Sequence, residues 1–372
     1  MALQRSGAQT AAPKQRRPNR RPNLNQTISF KMPDDRPSTA FSADSFTTRT
    51  KADFLFLSEL GEGSYSTVYL ASERQTSRKF AVKICLKKKI MQEKKVQQIF
   101  RERDVLRLLS TPANASPFVV RLFCTFQDRE SLYFVLSLAE KRDLLARLKA
   151  LRRFSVIQCQ FAMAELLLAL EHIHALGVIH RDVKPENILL REDGHILLSD
   201  FGCAKQKQSA EDGAKAEHGN EEQMTSTDKE QKRALKRRCS FVGTGAYVSP
   251  EVLNGEEVTG ACDWWAFGVI LFELLAGRRP FSGASEYFLF RQVLALSYEF
   301  PDDFPCDSSR QLVQALLVLV PAQRMGSDAM GGAVPIRHHP FYNSTDWDSI
   351  GKRKSPLFDS SDEPTDGEEG GE

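Results

Sequence analysis

The chain is expected to fold as an α+β protein of two unequal lobes: a small β-rich N-lobe carrying one main helix, and a larger, mostly helical C-lobe. Two observations point there. Segments 54–60, 67–71, 79–86, 118–126 and 131–138 are short, rich in β-branched and aromatic residues, and bounded by turn formers, the pattern of strands. Beyond about residue 143 the apolar residues fall at helical spacing instead.

The N-lobe helix lies between the third and fourth strands, where Val96, Ile99, Phe100 and Arg103 share one face and Leu106 continues it. In the C-lobe, residues 155–176 carry a broad stripe (Val156, Met163, Leu166, Leu167, Leu170, Ile173), and Gly177 follows where a helix stop is expected. Residues 263–276 are apolar on every side, which predicts a helix in the middle of a lobe. Residues 178–202 read as a meander of short strands and loops.

Of 372 residues, 41% are hydrophobic and 27% charged, enough to bury a core and against wholesale disorder, collagen or coiled coil. A net charge of +3 gives no argument for a nucleic-acid partner. No uninterrupted apolar run reaches the ~18 residues of a membrane span, so integral membrane association is not expected. Seven dispersed cysteines without a C-x-x-C pair suit neither a disulfide framework nor a zinc site, and a cytoplasmic location is expected.

Composition divides the rest. Residues 1–52 are expected to form a disordered basic arm, with nine Lys/Arg against three Asp in residues 1–50. Such an arm could touch anionic membrane only weakly, so lipid binding is not supported. Residues 206–238 interrupt the core with mixed charge and almost no large apolar side chains; the stretch is either functional or disordered. Residues 343–372 are expected to be an acidic tail, solvated from Gly351 on.

Five motifs carry the chemistry. Gly61-Glu62-Gly63-Ser64-Tyr65-Ser66-Thr67-Val68 lies between the first two strands, and its glycines let a backbone turn approach phosphates. Lys83, in Phe80-Ala81-Val82-Lys83, can reach α/β-phosphates if a carboxylate orients it, and Glu102 on the helix is the natural partner. In His180-Arg181-Asp182-Val183-Lys184-Pro185-Glu186-Asn187, Asp182 suits proton acceptance from a hydroxyl, Lys184 suits steadying a phosphoryl group, and Asn187 suits a metal ion. Asp200-Phe201-Gly202 offers Asp200 as a second metal ligand, and Ser249-Pro250-Glu251 precedes Asp263-Trp264-Trp265-Ala266-Phe267-Gly268.

In this order the five motifs resemble those of the protein kinase superfamily, covering residues 53–342, with an N-lobe at 53–139 and a C-lobe at 140–342. Lys184 after His-Arg-Asp resembles the serine/threonine branch. Arg101-Glu102-Arg103-Asp104, Phe126-Gln127-Asp128 and Ser240-Phe241-Val242-Gly243-Thr244 are similar to the 3-phosphoinositide-dependent protein kinase family of the AGC group. That family also has a serine at the position of Ser66, where other kinases carry a third glycine.

The resemblance implies a two-lobed kinase fold and transfer of the γ-phosphoryl of ATP, with Mg²⁺, to Ser/Thr hydroxyls of protein substrates. It implies that Asp182, Lys184, Lys83 and Glu102 are catalytic, and that Asn187 and Asp200 hold the metal. The nucleotide set it implies comprises Leu60, Gly61, Glu62, Gly63, Ser64, Tyr65, Ser66, Val68, Ala81, Lys83, Ser137, Leu138, Ala139, Asp143, Glu186, Leu189 and Asp200. Of these, Leu60, Val68, Ala81 and Leu189 would sandwich adenine, residues 137–139 form the hinge, and Asp143 approaches the ribose.

The family acts on activation loops of other AGC kinases, and residues 240–244 match such a site, so Ser240 is the expected phosphosite and autophosphorylation target. Arg181, Lys205 and Arg101 would receive its phosphate. A groove for a partner's phosphorylated hydrophobic tail would comprise Lys87, Ile90, Met91, Val96, Ile99, Arg103, Thr125, Gln127, Leu132 and Phe134, with Phe100 bulkier than usual. Residues 343–372 hold one Phe (Phe358) and no Phe-x-x-Phe, so the groove is expected to be open to another kinase. Some thirty residues after the catalytic domain leave no room for a pleckstrin-homology domain, so phosphoinositide dependence cannot be inferred from this sequence.

Overall fold

The computed structural model describes residues 49–63, 65–206 and 244–358. The expectations for the basic arm, Ser64, the body of the charged insertion, Ser240 and the acidic run from residue 359 therefore lie outside the described residues.

Strands β1 (Phe54–Glu62), β2 (Ser66–Glu73), β3 (Lys79–Leu86), β4 (Leu122–Gln127) and β5 (Ser131–Leu136) form one antiparallel sheet in the order β1-β2-β3-β5-β4. Two-residue alternation puts Phe80 and Val82 on one face, where they join Phe54, Phe126, Tyr133 and Val135 in an aromatic-rich core. It puts Ala81, Lys83 and Cys85 on the other. Against that second face pack the short helix α1 (Lys87–Gln92), which the strand and helix patterns had not indicated, and α2 (Val96–Leu109). Ile99, Glu102, Arg103, Leu106 and Leu109 fall at three- and four-residue spacing and are all buried.

The expected fourth strand begins four residues late. Residues 118–120 leave the sheet and pair with the other lobe: Val120 N–H donates to Leu198 O at 2.9 Å, and Leu198 N–H to Phe118 O at 2.8 Å. Their apolar character serves an inter-lobe seam, a use that β propensity does not distinguish from a strand.

The C-lobe is built on α3 (Leu144–Leu151) and α4 (Val156–Ala175), followed by β6 (Val178–Ile179), β7 (Ile188–Leu190), β8 (Ile196–Leu198) and β9 (Lys205–Gln206). After the charged insertion come α5 (Pro250–Asn254), α6 (Ala261–Ala276), α7 (Glu286–Leu294), α8 (Asp307–Leu316) and α9 (Val334–Arg337). Ser155 and Gln158 close a reciprocal cap at the start of α4, and Gly177 (φ 72°) ends the chain's helical run. In α6 every residue from Ala261 to Leu275 is buried, as its uniform apolarity predicts.

By length and composition α4 could cross a membrane, since isolated polar residues break its apolar run without lowering its hydropathy below 1.3. Here 61% of that window is buried, against α6 and β8 among others, so it is the core helix of the lobe. One further expectation is corrected. Residues 351–354 are exposed as expected, but 355–358 fold back onto the lobe: Leu357 and Ser355 are buried, Ser355 Oγ donates to Gly194 O at 2.9 Å, and Phe358 lies against the guanidinium of Arg147.

Candidate active site

Strand register sets the first group. Lys83 pairs with Val68 on β2 and Phe134 on β5, so its side chain emerges from the middle of the sheet toward α2. Its Nζ donates to Glu102 Oε1 at 2.5 Å and lies 3.9 Å from Asp200 Oδ1. Desolvation opposes the charge on Lys83, but the Glu102 and Asp200 carboxylates outweigh it and hold the ammonium well above its ordinary range. Partial desolvation by the surrounding protein opposes the charge on Asp200, whose side chain is 49% exposed, but the Lys83 ammonium and the Gly202 N–H prevail, keeping the carboxyl below the usual carboxylate value. Both groups are therefore charged at neutral pH.

The second group sits on the loop after β6. Asp263, near the start of α6, accepts the N–H of His180 at 2.9 Å and of Arg181 at 2.8 Å, while His174 Nε2 holds the carboxylate at 2.8 Å. Arg181 is thereby kept at φ 66°, a left-handed conformation unusual for arginine. His180 Nε2 lies 2.9 Å from Ser199 O, and its Nδ1 accepts from Asp182 N–H at 3.3 Å, so the proton resides on Nε2. Within this frame Lys184 Nζ reaches the Asp182 carboxylate at 3.0 and 3.2 Å, and Asn187 Nδ2 donates to Asp182 O at 2.7 Å and Oδ2 at 3.1 Å. Asp182 raises the Lys184 ammonium despite desolvation. A cavity beside Asp182 is lined also by Lys184, Asp200, Cys203, Tyr247 and Ser249.

The third group packs the Asp-Phe-Gly turn under α2. Asp200 is left-handed (φ 59°) and its Oδ1 accepts from Gly202 N–H at 3.3 Å. A Cβ at Gly202 would come within 3.0 Å of Gln98 Nε2 and 3.1 Å of Asp200 Oδ1, so a side chain there would press on both groups by a few tenths of an ångström.

Asn187 and Asp200 suit a hard divalent cation. Asn187 commits its amide nitrogen to Asp182, which leaves its oxygen for a ligand, and Asp200 contributes a charged carboxylate. Among the described residues no cluster of three or more His, Cys, Asp or Glu is arranged as a metal cage. Two oxygen donors with the remaining positions left to water and phosphate is the pattern magnesium tolerates.

The remaining expected nucleotide residues are distributed around the cleft mouth. Leu60, Gly61, Glu62 and Gly63 are exposed on the β1–β2 hairpin; Ser66, Val68 and Ala81 are half-buried. Gly63 N–H is taken by Ser66 O at 2.7 Å, which closes the turn. Tyr65 is not on the outside of this hairpin: it is buried, and its hydroxyl accepts from Gln98 on α2. Ser137, Leu138 and Ala139 follow β5 and are half-buried, with Ser137 N–H still paired to Arg121 O at 2.9 Å. Asp143 has a structural task too, since its Oδ1 caps α3 through Ala146 N–H at 2.7 Å. Leu189 and Glu186 are half-buried nearby.

In the expected groove Ile90, Ile99, Leu132 and Phe134 are fully buried, Val96 and Thr125 half-buried, and Met91 exposed. Lys87 Nζ donates to Gln127 Oε1 at 2.9 Å and Asp128 O at 2.6 Å. Arg103 is engaged with Asp104 at 2.8 Å and lies over Phe100, so in this structure its guanidinium is turned within the lobe. Of the cations expected at a phosphorylated Ser240, Arg181 Nε donates to Cys203 O at 2.7 Å, and Lys205 and Arg101 are exposed.

Sequence reasoning missed the supports. Asp263 stands in a motif the sequence shows, and its role could have been read from its being the one acid in an otherwise apolar helix start, because a charge buried there requires partners. Gln98 carries no such local signal, and neither does Arg324, the partner of the motif residue Glu251.

The family model for the protein kinase domain matches residues 54–342. Over 306 residues the chain is 42% identical to 3-phosphoinositide-dependent protein kinase 1 of Rattus norvegicus, covering 82% of this chain and 50% of that protein. It is 41% identical over 314 residues to the serine/threonine-protein kinase ksg1 of Schizosaccharomyces pombe, covering 84% and 49%. With the Arabidopsis thaliana 3-phosphoinositide-dependent protein kinase 1 the identity is 37% over 309 residues, covering 83% and 59%. The chain thus spans about half the length of the curated relatives it matches. It belongs to the protein kinase family, as a serine/threonine kinase catalytic domain related to the 3-phosphoinositide-dependent protein kinases, a family whose domain in general implies ATP and a divalent metal.

Proposed function

We propose that the protein phosphorylates Ser/Thr residues in the activation loops of other AGC kinases, with Mg²⁺ as the metal, and autophosphorylates Ser240. The observation that carries the catalytic part is the convergence of Lys83 on both Glu102 and Asp200, beside the Asp182–Lys184–Asn187 cluster.

ATP supplies the transferable γ-phosphoryl, and the cation neutralises charge on its oxygens. The protein's residues supply position and field. Lys83, oriented by Glu102, holds the α/β-phosphates beneath the 61–66 hairpin. Leu60, Val68, Ala81 and Leu189 bracket the adenine, the main chain of residues 137–139 reads its edge, and Asp143 approaches the ribose. Asn187 and Asp200 hold the metal. Asp182 accepts the proton of the attacking hydroxyl, and Lys184, tied to that carboxylate, steadies the moving phosphoryl. Glu186 completes the nucleotide side of the loop.

Substrate choice rests on relatedness and on the sequence Ser-Phe-Val-Gly-Thr at 240–244. A groove at Lys87, Ile90, Met91, Val96, Ile99, Arg103, Thr125, Gln127, Leu132 and Phe134 would take a partner's phosphorylated hydrophobic tail, with Arg103 leaving Asp104 to meet the phosphate. The location proposed is cytoplasmic, which suits six free cysteines among the described residues. The test is incubation with an unphosphorylated AGC kinase domain and ATP–Mg²⁺, with the modified residue mapped. Phosphate on the activation-loop Ser/Thr supports the reading; phosphate only elsewhere, or only on generic basic peptides, rejects it.

A further inference from the structure

Little side-chain packing holds the phosphate-covering hairpin. Gly61, Glu62 and Gly63 are exposed, and a Cβ at Gly61 would meet nothing within 4 Å. Tyr65 is the exception. Its side chain is only 8% exposed, its carbonyl accepts Leu86 N–H at the end of β3 at 3.2 Å, and its hydroxyl accepts from Gln98 Nε2 at 3.1 Å. Gln98 stands one turn before Glu102 on α2, on the same side of the helix. Its amide nitrogen also lies against Gly202, at 3.0 Å from where a Cβ would be. One side chain thus touches the hairpin and the Asp-Phe-Gly turn, on the helix that carries the Lys83 partner.

We propose that Tyr65 and Gln98 form a latch that fixes the 61–66 hairpin over the nucleotide phosphates and couples its position to the Lys83–Glu102 pair and Asp200. Both are positioning residues and touch no reacting atom. The latch coexists with a formed Lys83–Glu102 pair at 2.5 Å, so it belongs to the reaction-ready arrangement of α2. It rests on the reading of residues 61–66 as the phosphate cover. Losing one neutral hydrogen bond corresponds to an effect of roughly 2- to 10-fold.

The test uses the full chain with Tyr65→Phe, Gln98→Met and the double variant, both near-isosteric so that packing survives. ATP and adenosine affinities are measured by calorimetry beside kcat and KM for ATP. The latch predicts that each single change weakens ATP binding and raises its KM roughly 3- to 10-fold, leaves adenosine affinity unchanged, lowers the melting temperature by no more than a few degrees, and that the double variant is no worse than either single one. Unchanged or tighter ATP binding, equal loss for adenosine, or additive losses would overturn it. Wild-type protein that binds adenosine no more weakly than ATP would instead remove the phosphate-cover reading on which the latch rests.

Discussion

Glu251 and Arg324, 73 residues apart, form a two-pronged ion pair at 2.9 and 3.0 Å with both side chains sealed from solvent. Arg324 also donates to Ala261 O and Val318 O and lies over the Trp265 ring. The pair thus locks the segment after the insertion to α6 and to the chain beyond α8. Removing one partner of such a pair leaves a buried charge uncompensated, so Glu251→Gln or Arg324→Met is expected to destabilise the fold by about 3–5 kcal/mol. Chemical denaturation of the variants checks this; a loss under ~1 kcal/mol would show that the pair is not buried as described.

Asp263 is expected to act through the catalytic loop it suspends. In Asp263→Ala the N–H groups of His180 and Arg181 lose their acceptor, and Arg181 loses the restraint on its left-handed backbone. A displacement of Asp182 by an ångström would lower kcat about 10²-fold. Steady-state kinetics with ATP binding measured separately should show kcat falling while ATP affinity holds.

The buried Glu165–His195 pair predicts a pH-dependent contribution to stability. The Glu165 hydrogen bond raises His195 from its ordinary 6.5, against desolvation, with Asp193 adding to the rise and Arg191 opposing it. Its stabilising contribution is therefore complete below pH 6.5 and lost as pH climbs through the raised value. Burial raises Glu165 above 4.5, and a raised carboxyl likewise stabilises at lower pH and loses that contribution on the way up. The unfolding free-energy difference between wild type and His195→Gln should shrink from pH 6 to pH 9. A difference that grows over that window contradicts the assignment.

Leu357 is fully buried in the segment that follows the kinase match. Leu357→Ala is expected to destabilise the domain by about 2–5 kcal/mol, seen as a lower melting temperature. A change within error would mean that residues 355–358 contribute no packing.

Much of this architecture was legible because strong local patterns agree with the fold. The alternation in 79–86 and the all-round apolarity of 263–276 each have one plausible burial, and the structure has it. Residues 118–120 misled because an apolar, β-branched run does not say which partner it pairs with, and here the partner is β8 of the other lobe. Residues 355–358 misled because proximity to a charged tail masks two apolar anchors, Leu357 and Phe358. At the site, Lys83, Glu102, Asp182, Asn187 and Asp200 announce themselves through motif spacing. Gln98 does not, and the contacts that give Tyr65 and Asp263 their roles are not legible in their motifs, since they span long sequence distances.

The central claim is that Lys83, Glu102, Asp182, Asn187 and Asp200 act together in phosphoryl transfer. A single-turnover measurement of γ-phosphoryl transfer from ATP–Mg²⁺ to a protein substrate, comparing wild type with folded Lys83→Met and Asp182→Asn, tests it most directly. The account predicts that the transfer rate falls by about 10²-fold or more in each. Transfer at the wild-type rate in either variant would contradict it.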